Sequence, residues 1–324
     1  MSKNIITLCI PTFNRQDTVC LLINNLIKNQ FNHFADILII DDGSSDDSFV
    51  KMQQFADEPN LRILQNKTNL GFAGNILRLS SECQTEYIVF CTDDEIVVSS
   101  GFQHLFRVLE QHSPDFISTR FICAANTREH LKLAEIELID LWKSANHFPG
   151  LVFKKTAIDK LQEDLHFYLT NKNLSAIFFP QIFLVIMMKL SGMKLLNAPI
   201  EISQKNPKHR HSSGQIYNKD KHYASLSTVV ERHNGFSTFY NNLLLDPRYT
   251  SSHASLKRLI KKHNNALYKM IESSIGFDDP RLLPIFRWGL LSRIVNLRIV
   301  YRVVFNRVMA SIKHFKHSIA NFKR

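Results

Sequence analysis

Three short apolar runs, each cut off by a polar or acidic cluster, do most to limit what this chain can become. Residues 5–10 run into Pro11-Thr12-Phe13-Asn14-Arg15, residues 37–40 into Asp41-Asp42-Gly43-Ser44-Ser45, and residues 87–91 into Thr92-Asp93-Asp94-Glu95. A strand that is apolar throughout is covered on both faces, as in a parallel or mixed sheet with helices on either side. Between the first two runs, Val19, Leu22, Ile23, Leu26 and Ile27 recur at helical spacing. Residues 61–64 read as another strand and Gly71 to Leu79 as the start of a helix. Strand–helix–strand order with polar residues at the strand ends specifies an open α/β sheet, whose ligands lie beyond the carboxyl ends of the strands.

Further on, residues 151–153 read as a strand and 182–190 as a buried helix, while 206–215 is a polar loop holding His209 and His211. From Tyr217 the chain reads as mostly helical, which suggests a catalytic-size domain over 1–215 and a helical region over 216–324. The longest apolar stretch, 176–188, is broken by Pro180 and Gln181 and is too short to span a bilayer. The N-terminus lacks the apolar core of a signal peptide. Cys9, Cys20, Cys83, Cys91 and Cys123 are odd in number and contain no CxxC pair, so they read as thiols of a reducing compartment.

The net charge of +11 is local. Residues 281–324 carry ten Lys and Arg and no acid, leaving 30 basic against 29 acidic groups in the rest. A nucleic-acid enzyme spreads its basic surface over the fold, so that partner is not expected. Within the basic tail Val308, Ile312, Phe315, Ile319 and Phe322 alternate four and three apart, opposite Lys313, Lys316 and Lys323. Two readings fit: an amphipathic helix on an anionic membrane surface, or a helix packed on the catalytic domain or on a second subunit of a homo-oligomer. The membrane reading is the expectation, with the protein cytoplasmic and peripheral on the inner face of the membrane.

Adjacent carboxylates repel unless a cation sits between them, and a hard divalent ion with oxygen ligands is the usual solution. Alone, Asp41-Asp42-Gly43-Ser44-Ser45 reads equally well as a turn with a helix cap. Three such clusters at successive strand ends favour a shared site.

The combination Ile10-Pro11-Thr12-Phe13-Asn14-Arg15, Ile39-Ile40-Asp41-Asp42-Gly43-Ser44-Ser45-Asp46, Asn69-Leu70-Gly71-Phe72-Ala73-Gly74-Asn75 and Phe90-Cys91-Thr92-Asp93-Asp94-Glu95 resembles the family-2 glycosyltransferases. These are inverting nucleotide-sugar enzymes of the GT-A fold. The resemblance covers roughly the first 100 residues, thins to Phe148-Pro149-Gly150-Leu151-Val152-Phe153-Lys154-Lys155, and says little beyond 215. It implies a GT-A-type open mixed sheet flanked by helices, with a mainly helical C-terminal extension. It implies that Pro11, Thr12 and Arg15 line the nucleotide pocket and that Asp42 accepts a hydrogen bond from a uracil or thymine imide. Asn69, Gly71 and Asn75 would approach the nucleotide, and Asp93 the ribose. Asp94 would hold Mn²⁺ or Mg²⁺ against the diphosphate, since Thr92 stands where the usual aspartate–any–aspartate signature begins.

Inversion also needs a carboxylate to deprotonate the acceptor hydroxyl. The position the resemblance points to is Gln181, which cannot do so. The nearest carboxylates are Asp159, Glu163 and Asp164, of which Glu163 and Asp164 are the candidates. A solvated helix face is the simpler explanation for them. His209 and His211 would close over the diphosphate or complete the metal's ligands, or else be surface histidines. The resulting expectation is a metal-dependent transferase moving sugar from a UDP- or dTDP-type donor to a saccharide or lipid-linked acceptor, in surface polysaccharide or lipopolysaccharide synthesis. A sugar-phosphate nucleotidyltransferase would want a glycine-rich loop after the first strand, and Pro11–Arg15 has no glycine. A basic membrane-binding protein with a degenerate transferase domain would tolerate loss of Asp42 or Asp94, and both are present.

Overall fold

The computed structural model describes residues 4–122, 128–206, 216–218, 221–222 and 226–274. They fall into two compact units, Met1–His211 with Phe239–Leu259, and Ser212–Thr238 with Ile260–Arg324.

The first unit opens as the apolar runs predict. Strand β1 (Ile6–Thr12) is followed by helix α1 (Gln16–Lys28), β2 (Asp36–Asp41), α2 (Ser48–Met52), β3 (Leu61–Gln65), α3 (Gly71–Glu82) and β4 (Tyr87–Phe90). Next come β5 (Glu95–Val97), α4 (Ser99–His112), β6 (Phe116–Arg120), β7 (Ala134–Glu135), α5 (Leu141–Ser144) and β8 (Leu151–Lys154). Helices α6 (Lys155–Thr170), α7 (Leu174–Phe178) and α8 (Pro180–Leu190) precede β9 (Leu195–Glu201) and β10 (Ser203–Lys205). The main sheet has the order β3-β2-β1-β4-β8-β6-β9-β7. Strands β3, β2, β1 and β4 are parallel, and β8 runs antiparallel to both β4 and β6, so the sheet is mixed. A small antiparallel pair, β5 with β10, sets Glu95 opposite Lys205.

Pro11 does not break β1, contrary to the sequence expectation; the strand continues to Thr12, with Pro11 opposite Ile40. The reason lies in the neighbouring ladder. The Cys91 N–H donates to the Cys9 carbonyl, and pairing with β4 goes no further along β1. Residue 11 faces the same side as residue 9, so the N–H that proline lacks falls where the ladder has already ended.

Burial follows the helical period on α1, where Val19, Leu22, Ile23 and Leu26 are buried against the sheet. Helix α8 is buried almost all round, and Pro180 takes its first turn, where a missing N–H removes no helical bond. Phe183 of α8 stacks on Phe239 at 4.0 Å between centroids, and Tyr168 of α6 meets both rings edge-on. Cys9, Cys83 and Cys91 are buried free thiols and Cys20 is half-buried; Cys123 lies outside the described residues.

In the second unit, β11 (Ile216–Asn218) pairs antiparallel with β12 (Lys221–His222). Residues 226–238 of helix α9 (Leu226–Leu245) and 260–274 of helix α10 (His253–Ser274) belong to this unit, and the rest of both helices and the 3₁₀ segment Pro247–Ser252 belong to the first. Within this unit His263 is buried edge-on against Phe236. No helix among the described residues is long and apolar enough to cross a membrane. His209, His211 and the basic tail over 281–324 lie outside the described residues.

Candidate functional site

The three polar clusters meet at the carboxyl ends of β1, β2 and β4. Their loops are tied to one another by side chains the sequence made short and polar. The Asn14 N–H donates to Ser44 Oγ, and the Ser45 N–H returns a bond to Asn14 Oδ1, both at 2.8 Å. Asn14 takes a left-handed conformation, φ 52°, which asparagine tolerates better than most residues. The Arg15 N–H donates to Ser48 Oγ at 3.0 Å, seating the start of α1 against α2. Asp41 is fully buried and accepts from the Ser44 N–H and hydroxyl and from Gln65 Nε2. It organises the turn.

Asp42 is buried as well. Its Oδ1 accepts from Asn66 Nδ2 at 2.7 Å and from the Leu70 N–H at 2.8 Å. Burial pushes its pKa up, and these donors pull it back. Asp42 therefore fixes the 66–71 loop beside the end of β2. Gly43, at φ +70°, lets that loop pass close: a Cβ there would lie 3.1 Å from the Asn69 nitrogen. Asn69 Oδ1 accepts from the Gly71 N–H. Asn75 is buried and engaged inside the fold, donating to the Ile40 carbonyl and accepting from Asn66. Asn66, unremarked in the sequence, is thus the hub of this loop, with Arg78 donating to its Oδ1 at 2.6 Å. Nothing in the pattern QNKTNLG separates it from an ordinary loop asparagine.

The acidic turn after β4 joins the end of β1. Thr12 Oγ1 donates to Asp93 Oδ2 at 2.7 Å, and Arg15 Nη1 lies 3.8 Å from Asp94 Oδ2. Burial raises Asp93 to about 6 despite the Thr12 bond and the Arg15 charge. Glu95 is raised to about 8, first by burial and then by the Asp94 charge. His147 Nε2 stands 3.9 Å from Glu95 Oε1. The chain around it is held by fully buried Arg128, which donates to the His147 and Pro149 carbonyls and places its guanidinium 5.7 Å from the Phe121 ring. Gly150, at φ +78°, closes this segment onto β4 through its N–H to the Phe90 carbonyl. No sequence signal marked Arg128, an isolated cation beyond a short strand.

Pro11, Thr12, Arg15, Asp42, Asn69, Gly71, Asn75, Asp93 and Asp94 are therefore brought to one end of the sheet. Glu163 and Asp164 are not joined to that cluster. Both lie on α6, where Glu163 is exposed and Asp164 pairs with Arg248 at 3.3 Å. Among the described residues neither makes a hydrogen bond or ion pair with the 93–95 turn. Gln181 is buried at the start of α8 and donates to the Ala145 carbonyl at 3.3 Å.

Among the described residues no three His, Cys, Asp or Glu side chains are grouped to hold a metal alone. The donor chemistry fits a different arrangement. Asp94, crowded by two neighbouring carboxylates, offers hard oxygen to an ion that takes one or two protein carboxylates and fills its sphere from water and a diphosphate. A closed protein cage for a metal is not what this turn builds.

Comparison with known proteins agrees with this geometry. The chain is 22% identical over 110 residues to the poly(ribitol-phosphate) beta-N-acetylglucosaminyltransferase TarS of Staphylococcus aureus, 33% of this chain and 19% of that protein. It is 25% identical over 116 residues to the cholesterol galactosyltransferase of Borreliella burgdorferi, 36% of this chain and 32% of that protein. The matches thus span a fifth to a third of those relatives' lengths. Among solved structures, S. aureus TarS 1–349 in complex with UDP-GlcNAc superposes with a TM-score of 0.60 at 13% identity, over 80% of this chain and 72% of that one. The mannosyltransferase PcManGT of Pyrobaculum calidifontis, in complex with GDP-Man and Mn²⁺, gives 0.55 at 10% identity, over 98% and 83%. These two likenesses establish a shared fold. The model of the family described as glycosyl transferase family 2 matches residues 7–170, half of the chain, and the chain belongs to that family.

Proposed function

We propose that this chain is a metal-dependent, inverting glycosyltransferase that moves a sugar from a nucleoside-diphosphate donor to a saccharide or lipid-linked acceptor. The observation that carries the reading is the junction of the β1 end with the acidic turn, Thr12 on Asp93 and Arg15 beside Asp94, inside the region matched by the family. In the reaction the acceptor oxygen bonds to the anomeric carbon as that carbon's bond to the diphosphate breaks. The diphosphate leaves with the electron pair, and the hydroxyl proton passes to a base. A divalent cation on Asp94 would supply charge stabilisation for the departing diphosphate. The chain's own part is positional: Thr12 orients Asp93, Asp42 holds the 66–71 loop at the nucleotide edge, and Arg15 brings a positive charge to the mouth of the site.

By name, one relative acts on poly(ribitol-phosphate) and another on alpha-D-GlcNAc-diphosphoundecaprenol, and one solved neighbour carries Mn²⁺. They support a role in surface polysaccharide or lipopolysaccharide assembly, with Mn²⁺ or Mg²⁺ as cofactor. The basic tail over 281–324 supports peripheral contact with an anionic membrane on the cytoplasmic side. The Asp42 carboxylate, just beyond β2, is the residue that favours a uridine or thymidine donor.

A screen of nucleotide-sugar hydrolysis with and without Mn²⁺ tests the reading. Metal-stimulated release of UDP or dTDP from one donor is the expected result. No hydrolysis, transfer or binding of any nucleotide sugar would overturn it.

A further inference from the structure

The turn that leads into β8 is gripped by side chains from other elements. Gln181 donates to the Ala145 carbonyl, Arg128 to the carbonyls of His147 and Pro149, and Thr119 of β6 to the carbonyl of Gly150 at 2.7 Å. Arg128 is fully buried, and a guanidinium is costly to bury unless its donors meet fixed acceptors. Lysine would present a point charge there, whereas the planar guanidinium forks to two carbonyls that bracket residue 148. The packing leaves little slack. A Cβ on Gly150 would lie 2.7 Å from Thr119 Oγ1 and 3.4 Å from Arg128 Nη2.

The residue inside that fork is Phe148, and its ring meets two parts of the site. Its centroid lies 5.0 Å from that of Phe72, edge-on, and 4.7 Å from that of Phe90. Phe72 stands in the first turn of α3, next to Gly71 and the loop that Asp42 holds. Phe90 is the last residue of β4, which runs into the acidic turn. The Gly150 N–H, bonded to the Phe90 carbonyl at 2.8 Å, fastens the same turn to that strand. One ring is therefore the common neighbour of the 66–71 loop and the acidic turn, and Arg128 grips the backbone on both sides of it.

We propose that Arg128 is a positioning residue for donor binding: it sets Phe148, and through that ring the spacing between the 66–71 loop and the acidic turn. The inference rests on the transferase reading for what the site binds, and on this packing for how the site is spaced. Its effect passes through Phe148 and not through contact with the donor.

The test uses the full chain and calorimetric titration with UDP, dTDP and GDP in Mn²⁺, below the melting temperature of every variant. Arg128→Lys keeps the charge and loses the fork, while Phe148→Leu keeps the clamp and loses the ring. Leu109→Ala, at a buried position in the last turn of α4, is the control for lost stability alone. Cooperative melting establishes folding, and Arg128→Met replaces Arg128→Lys if the lysine variant does not fold. The expected result is nucleotide binding weakened at least tenfold in the Arg128 variant and in Phe148→Leu, but unchanged in Leu109→Ala. The double variant should bind no more weakly than the weaker single one, because the two residues act along one path. Wild-type affinity in either folded site variant, losses that multiply in the double variant, or an equal loss in Leu109→Ala would overturn the proposal. Wild-type protein that binds none of the nucleotides removes the transferase reading and this inference with it, whereas wild-type binding that the variants share removes this inference alone.

Discussion

Thr12 Oγ1 and Asp93 Oδ2 lie 2.7 Å apart, 81 residues apart in sequence, and this buried hydrogen bond joins the first strand to the acidic turn after the fourth. Thr12→Val removes the donor at nearly constant shape and leaves Asp93 buried with one partner fewer. We expect a stability loss of about 1–3 kcal/mol by denaturant unfolding and weaker nucleotide binding. Thr12→Ser keeps the hydroxyl and should recover most of both. Equal behaviour of the two variants would show that the bond does not hold the turn.

Asp42 has a structural role and a proposed recognition role, and two variants divide them. Asp42→Ala strands the Asn66 amide and the Leu70 N–H. It should cost about 1–3 kcal/mol and loosen the 66–71 loop. Asp42→Asn keeps an acceptor oxygen for both donors, so its melting temperature should stay near wild type while the preference for UDP or dTDP over GDP narrows in calorimetry. Wild-type protein binding GDP at least as tightly as UDP and dTDP would contradict the recognition role.

Gly43 and Gly71 share a positive φ, +70° and +74°, but not their surroundings. Alanine at Gly71 meets open space and should cost only the backbone strain, about 1–2 kcal/mol. Alanine at Gly43 meets the Thr68 and Asn69 backbone at 3.1 Å and should cost more, with the loop displaced. Equilibrium unfolding of the pair gives the order directly; a larger loss at Gly71 would contradict the close approach of the two loops.

The parts of this fold legible in the sequence are those where one period dominates. The runs ending at Thr12, Asp41 and Phe90 are covered on both faces, and α1 and α8 keep their apolar spacing. Strands β6 and β9 were not legible. Ser118 and Thr119 are buried polar residues in the first, and Asn197 and Pro199 interrupt the second, so neither looks like a strand until β8 and β7 flank them. In the site, the carboxylates were legible because adjacent acids at the end of an apolar strand repel one another and need a reason to be there. Their supports, Asn66, Arg128 and His147, were not, because each owes its role to partners far away in the chain. The base stays unassigned for a related reason: Gln181 stands at the position suggested by family resemblance, and Asp164 is engaged by Arg248.

His130 should make the first unit acid-sensitive. Ser118 Oγ donates to the Ser144 carbonyl, so the imidazole donates from Nε2 to Ser118 Oγ at 2.8 Å. Burial, with Arg128 and Lys143 nearby, lowers its pKa to about 4. For a base whose folded pKa lies below the unfolded value of about 6.5, stability is fully present above that pH and is lost as pH falls towards 4. His130→Gln keeps a donor without the titration, so its melting temperature should fall less than wild type between pH 6.5 and 4. Parallel curves would show that another group governs acid unfolding.

The acidic turn as the donor and metal site is the central claim, and calorimetric titration of UDP-sugar into wild type and Asp94→Asn, with Mn²⁺ and with excess chelator, tests it most directly. Asp94 lies in a turn with its side chain partly open to solvent, so the isosteric amide should leave the melting temperature unchanged. The account predicts Mn²⁺-dependent donor binding in wild type, lost in chelator and weakened at least a hundredfold in Asp94→Asn. Donor binding by Asp94→Asn equal to wild type, or wild-type binding undiminished in chelator, would contradict it.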